Sequence, residues 1–133
     1  MAGSKTDQLE ARILDHLFKG GATPALTALS TVYVALTTTV PTDAAAGTEV
    51  AGSSYARAAV AAAAWTRTAS SISNNAEVAF PVVTGSPYTV VGWELYDASS
   101  SGNRLYWGDT TSTVMGVGDT PRFAANALTC TED

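Results

Sequence analysis

A mainly β fold, an antiparallel β-sandwich or flattened barrel of about seven strands preceded by one amino-terminal helix, is what the sequence predicts. Three observations carry that expectation. Beyond Ala25 the composition turns to Thr, Val, Ala and aromatics, broken by Gly, Ser, Asn and Pro clusters, the pattern of strands joined by turns. Two runs, Val91 to Tyr96 and Leu105 to Gly108, alternate with the period of two of a half-buried strand. Helical spacing is confined to the start of the chain. At 133 residues and 46% apolar composition, the chain has the material for one core, so residues 1–133 read as a single domain.

The helix is placed over about Asp7 to Lys19, where Leu9, Ile13, Leu14, Leu17 and Phe18 recur at helical intervals. Asp7, with Glu10 three residues later, is suited to cap the first N–H groups, and Gly20-Gly21 offers the left-handed geometry that ends helices. Packing of the Leu9/Ile13/Leu17 stripe on the chain's own sheet is the expectation, with docking on a neighbouring subunit as the other reading.

Past the link Ala22-Thr23-Pro24-Ala25, the β-branched run Thr31 to Thr37 stops before Val40-Pro41-Thr42-Asp43 and forms the first expected strand. Asp43 to Ser53 offers few anchors and reads as an exposed loop. Tyr55 to Trp65 contains the run Ala58-Ala59-Val60-Ala61-Ala62-Ala63-Ala64, which propensity alone would make helical. It is read as a strand, because small side chains suit close layers and because Gly52-Ser53-Ser54 and the polar run Ser70 to Asn75 flank it. Glu77 to Pro81 alternates as a short edge strand ended by proline, before the turn at Gly85-Ser86-Pro87. Val91 to Tyr96 and Leu105 to Gly108 pair as a hairpin across Ala98 to Asn103, with Trp93, Leu95, Leu105 and Trp107 facing inward. A turn at Gly116-Val117-Gly118-Asp119 leads through Pro121-Arg122-Phe123 to a closing strand over Ala127 to Thr131.

The charge balance narrows the function classes. Twelve acidic against seven basic residues give a net charge of −5, and the basic residues are scattered singly, so no counterion-displacing stripe for nucleic acid is present. One cysteine excludes an intrachain disulfide and a Cys-rich zinc site. No run approaches the ~18 apolar residues of a membrane span, and the first residues lack the apolar core of a signal peptide, so synthesis and folding in the cytoplasm are expected.

Individual motifs resolve to structural readings. Asp97-Ala98-Ser99-Ser100-Ser101-Gly102 matches the first half of a calcium loop, but the position that needs a bidentate acid is Gly108. Gly116-Val117-Gly118-Asp119 lacks the following helix of a phosphate loop. His16 has no second ligand nearby, and Cys130 has no neighbouring base. Trp65, Trp93 and Trp107 with Tyr55, Tyr88, Tyr96 and Tyr106 could form a carbohydrate-stacking platform, but the phase of Trp93 and Trp107 favours core packing. Catalytic, cofactor-binding and metal-binding residues are therefore assigned to none of these positions, and an enzyme is not expected.

In chain order, Val32-Tyr33-Val34-Ala35-Leu36-Thr37-Thr38, Pro41-Thr42-Asp43, Gly47-Thr48-Glu49-Val50 and Gly52-Ser53-Ser54-Tyr55-Ala56-Arg57 are followed by Ala79-Phe80-Pro81. Next come Val91-Gly92-Trp93-Glu94-Leu95-Tyr96-Asp97, Gly102-Asn103-Arg104-Leu105-Tyr106-Trp107-Gly108 and Gly118-Asp119-Thr120-Pro121-Arg122-Phe123. Over nearly its full length the chain resembles a small tailed-bacteriophage structural family. Gly52-Ser53-Ser54-Tyr55 stands where a more glycine-rich run is usual, and Ala61-Ala62-Ala63-Ala64-Trp65 where a Phe is more usual. The resemblance brings no catalytic residues. It implies a virion protein acting as a homo-oligomer, with capsid cement or decoration, bridging major capsid proteins, as the first expectation. A tail-fibre or tail-associated module that binds a host receptor is the alternative, in which the loops around Gly47 and Ser100 become the contact surface.

Overall fold

The computed structural model describes residues 3–132. In chain order these form β1 (Ser4–Lys5), α1 (Asp7–Phe18), β2 (Thr31–Thr37), β3 (Ala58–Ala61), a 3₁₀ turn (Ala62–Ala64), β4 (Trp65–Thr68), β5 (Ser71–Asn74) and β6 (Val78–Ala79). The remaining strands are β7 (Tyr88–Tyr96), β8 (Arg104–Met115), β9 (Arg122–Phe123) and β10 (Thr129–Thr131). A five-stranded sheet has the order β1-β8-β7-β2-β3, and it faces a three-stranded sheet, β10-β5-β4, and the pair β6-β9. All of these strand pairings are antiparallel. The expected sandwich with an amino-terminal helix is the fold. It has more strands than the sequence suggested, because several are only two or three residues long, too short to carry a period.

Between the layers lie Val34, Leu36, Val60, Val78, Phe80, Val90, Trp93, Leu95, Leu128 and Cys130, all buried. Trp93 is the largest of the fully buried side chains. Its indole lies in a slot made by glycines: a Cβ on Gly108 would stand 2.5 Å from the ring, and one on Gly3 would stand 2.3 Å from its far edge. Trp93 faces Gly108 directly across the β7/β8 ladder, so the missing side chain of one strand makes room for the ring of the other.

The helix begins at Asp7, as expected, but its cap lies one residue earlier. Thr6, fully buried, accepts from the Leu9 N–H at 3.2 Å and donates its hydroxyl to the Arg104 carbonyl at 2.9 Å, so it is Thr6 and not Asp7 that caps α1. The reason is tertiary: β1 pairs with β8 and hands the chain straight into the helix. At the other end Gly20 and Gly21 take positive φ, as expected. Leu9 and Arg12 face the body, and the Arg12 guanidinium donates to the carbonyls of Pro24 and Ala25, folding the link back onto the helix. Leu17 and Phe18 do not join the core; they are exposed, which corrects the single inward stripe.

The alanine segment is also divided differently. Ala58–Ala61 pairs with β2 in the larger sheet, Ala62–Ala64 forms the 3₁₀ turn, and Trp65 opens β4 in the smaller one. A strand that switches sheets must turn a corner, and alanines leave room for it. The polar run after it is itself a strand, β5, because Asn74 is fully buried and donates to the carbonyls of Ala76 and Ala124 while accepting from the Leu128 N–H. The β7/β8 hairpin is longer than the alternation showed, since β8 continues through a Thr-rich stretch to Met115. Trp107 does not share the inward face of Trp93. It stands opposite Glu94 on the other side of the sheet, and its indole N–H donates to Asp43.

Candidate functional site

Several residues of the resembling motifs, among them Asp43, Gly47, Glu49, Arg57, Glu94 and Arg104, come together where the loop 43–53 meets the β7/β8 hairpin, whereas Ala79-Phe80-Pro81 and Pro121-Arg122-Phe123 meet at the β6/β9 pair. Glu94 is wholly buried, on the opposite face of β7 from Trp93 and Leu95. Its carboxylate accepts from Arg104 at 3.0 Å, from the Gly47 N–H at 3.0 Å and from the Tyr96 hydroxyl at 2.9 Å. Arg104 in turn donates to the carbonyls of Thr42 and Asp43, each at 2.7 Å. The ion pair thereby fastens the start of the loop to the sheet. A buried carboxylate requires this degree of saturation, because an unpaired one would carry a large desolvation penalty.

A second ion pair fastens the far side of the same loop. Arg57 forms a two-pronged contact with Glu49, Nε to Oε1 at 2.9 Å and Nη2 to Oε2 at 2.8 Å, and the Tyr55 hydroxyl donates to Glu49 at 2.9 Å. Arg57 also donates to the carbonyls of Ala98 and Ser101 in the hairpin tip. Its guanidinium lies 3.7 Å from the centre of the Tyr96 ring, within the range of a cation–π contact. Tyr96 therefore joins the two ion pairs, carrying Arg57 on its face and Glu94 on its hydroxyl.

Titration follows from this geometry. Burial pushes Glu49 upward, but the hydrogen bonds from Arg57 and Tyr55 and the charge of Arg57 outweigh it, so its carboxyl lies below the ordinary range. Burial, then the charge and hydrogen bond of Glu94, raise the Tyr96 phenol to about 12. Burial, helped by the charge of Glu132, lifts the Cys130 thiol to about 12 as well.

The other singled-out residues fall in separate places. Both carboxylate oxygens of Asp97 accept from Asn103, one from its backbone N–H and one from its side-chain amide, each at 2.7 Å. The calcium-like sequence therefore closes the hairpin tip on itself, with Gly102 at φ 80° where a Cβ would crowd Asp97. Asp119 accepts from the Gly116 N–H and makes the expected turn. His16 is on the exposed flank of α1, and Cys130 is buried in the core. The aromatic residues are dispersed: Trp93 is in the core, Tyr55 stacks on Phe80, Tyr96 lies under Arg57, and Trp65 and Trp107 are on different faces. Among the described residues no group of three or more His, Cys, Asp and Glu is placed to hold a metal ion. None of the described helices is long and apolar enough to cross a membrane.

The Glu94/Arg104 and Glu49/Arg57 pairs were not singled out by sequence reasoning as partners. The available signal was an acid alternating with the apolar residues of one hairpin strand and a base at the start of the next. What these motif residues do chemically is hold two loops against a rigid sheet and leave their outer surfaces free, as in a β-sandwich module that presents loops. The chain belongs to the family described as Podophage GP4 fiber I protein gp80, whose model matches residues 4–131. No curated protein sequence matches the chain. The protein is thus a phage structural protein, the class that the motif order resembled, and it is the fibre alternative, not capsid cement, that this family favours.

Proposed function

We propose that the chain is a non-enzymatic component of the tail-fibre apparatus of a tailed phage, in which the loops around Gly47 and Ser100 contact a host receptor or a neighbouring tail protein. The observation that carries the reading is the match of residues 4–131 to a fibre-protein family. The geometry of the loop end supports it. Asp43 to Ala46 and Ser99 to Ser101 are exposed, while the backbone behind them is held by Arg104 and Arg57. Loops fixed in advance lose less conformational freedom on binding, which favours affinity at a small contact surface. The test is to label this protein with gold-conjugated antibody on intact virions and to measure its copy number by gel densitometry. Label confined to the tail, at low copy number, is expected. Label spread over the capsid at high copy number would replace this reading with cement.

A further inference from the structure

Helix α1 has two apolar sides. Leu9 is buried against the body, while Leu14, Leu17 and Phe18 on another flank are 57%, 66% and 80% exposed. Single exposed apolar residues are ordinary, but three on adjoining turns make a patch, and a helix apolar on two sides is suited to lie between two layers. The same chain carries an unfilled apolar trough. A hollow of about 270 Å³ is lined by Val32, Trp65, Ile72, Leu95, Leu105 and Tyr106. It continues past Ile72, Tyr106 and Cys130 into a second hollow of about 260 Å³ whose wall includes Arg67 and Glu132, the latter already paired with Lys5. The indole N–H of Trp65, in the wall of the first hollow, is buried without an acceptor among the described residues.

We propose that the Leu14/Leu17/Phe18 flank of one copy lies in this trough of a second copy. The chain cannot fill its own trough with that flank, because Thr6 fixes the start of α1 to β8 and Arg12 ties its middle to Pro24 and Ala25. The end charges are complementary. Glu10 stands one turn before Leu14 on the same flank and makes no ion pair among the described residues. Arg67 lines the second hollow, and among the described residues its guanidinium is bonded only to the Ala69 carbonyl. From Glu10 to Leu17 the helix rises ~10 Å, so with Glu10 at Arg67 the apolar side chains reach back over Ile72 toward Trp65. This contact does not depend on whether the protein sits on tail or head, so virion labelling and self-association fail or succeed separately.

Sedimentation velocity of the full chain, up to about 100 μM, is the test, since even a ~10 μM contact is populated there. The wild type is expected to self-associate. The double variant Leu17→Ser/Phe18→Ser changes only exposed positions, so its circular dichroism stays native while its dissociation constant rises at least about a hundredfold, as for loss of central apolar anchors. Glu10→Arg and Arg67→Glu each weaken association, and the two together restore it. A wild type that stays monomeric, association unchanged in Leu17→Ser/Phe18→Ser, or a charge exchange that restores nothing would each overturn the proposal.

Discussion

Replacing Arg104 by alanine tests whether the Glu94/Arg104 pair fastens the loop end. Glu94 is fully buried and Arg104 nearly so. Among the described residues, the variant leaves the Glu94 carboxylate with only the Gly47 N–H and the Tyr96 hydroxyl, and it takes the guanidinium from the Thr42 and Asp43 carbonyls, of which Asp43 keeps the Asp7 N–H. Stranding one member of a buried pair costs about 3 to 5 kcal/mol, a large part of the ~5 to 15 kcal/mol available to a domain. Glu94→Leu alone strands the guanidinium in the same way. The double variant Glu94→Leu/Arg104→Met removes both charges, and the released loop carbonyls, at exposed residues, can be solvated. It should therefore be more stable than the sum of the single losses by at least about 2 kcal/mol, the scale of coupling for directly interacting residues. Urea unfolding followed by tryptophan fluorescence measures all four proteins. Single losses under about 1 kcal/mol, or strictly additive losses, would refute the reasoning.

Other outcomes follow from the same structure. Trp93→Ala empties the glycine-lined slot and should cost about 3 to 5 kcal/mol, whereas Ser100→Ala at the exposed tip should cost under about 0.5, both read as shifts in the urea midpoint. Because Glu49 titrates lower in the folded protein than in the unfolded chain, its contribution is complete above its ordinary value of 4.5 and is lost as pH falls through the folded value. The urea midpoint should drop on acidification below that pH, and Glu49→Gln should flatten the dependence. Cys130, 2% exposed with its thiol raised to about 12, should resist an aromatic disulfide reagent at pH near 8 and react once urea unfolds the chain, as absorbance would report.

Much of the fold was legible because alternation and turn residues are local signals. Val91 to Tyr96 announced a strand, and Gly20-Gly21 announced the end of the helix. Alternation gives two faces without saying which is inner, and Trp107 shows the consequence. The register of the hairpin sets it opposite Glu94, while Gly108 receives Trp93, and register depends on the intervening loop and on bulges such as that between Leu95 and Tyr96. The corner at Ala62–Ala64 was hidden for a related reason, since a change of sheet has no local period.

Composition and motif order by themselves determined the β-rich class, the single helix and the phage structural family. Only the tertiary structure decided that Thr6 caps that helix, that Glu94 meets Arg104 and Glu49 meets Arg57, and that Leu17 and Phe18 remain uncovered. A strand or turn is specified by neighbours along the chain, where short-range sterics and burial period act. An ion pair across a hairpin, or an apolar flank with nothing on it, is specified by distance in space, which the linear order of residues does not contain.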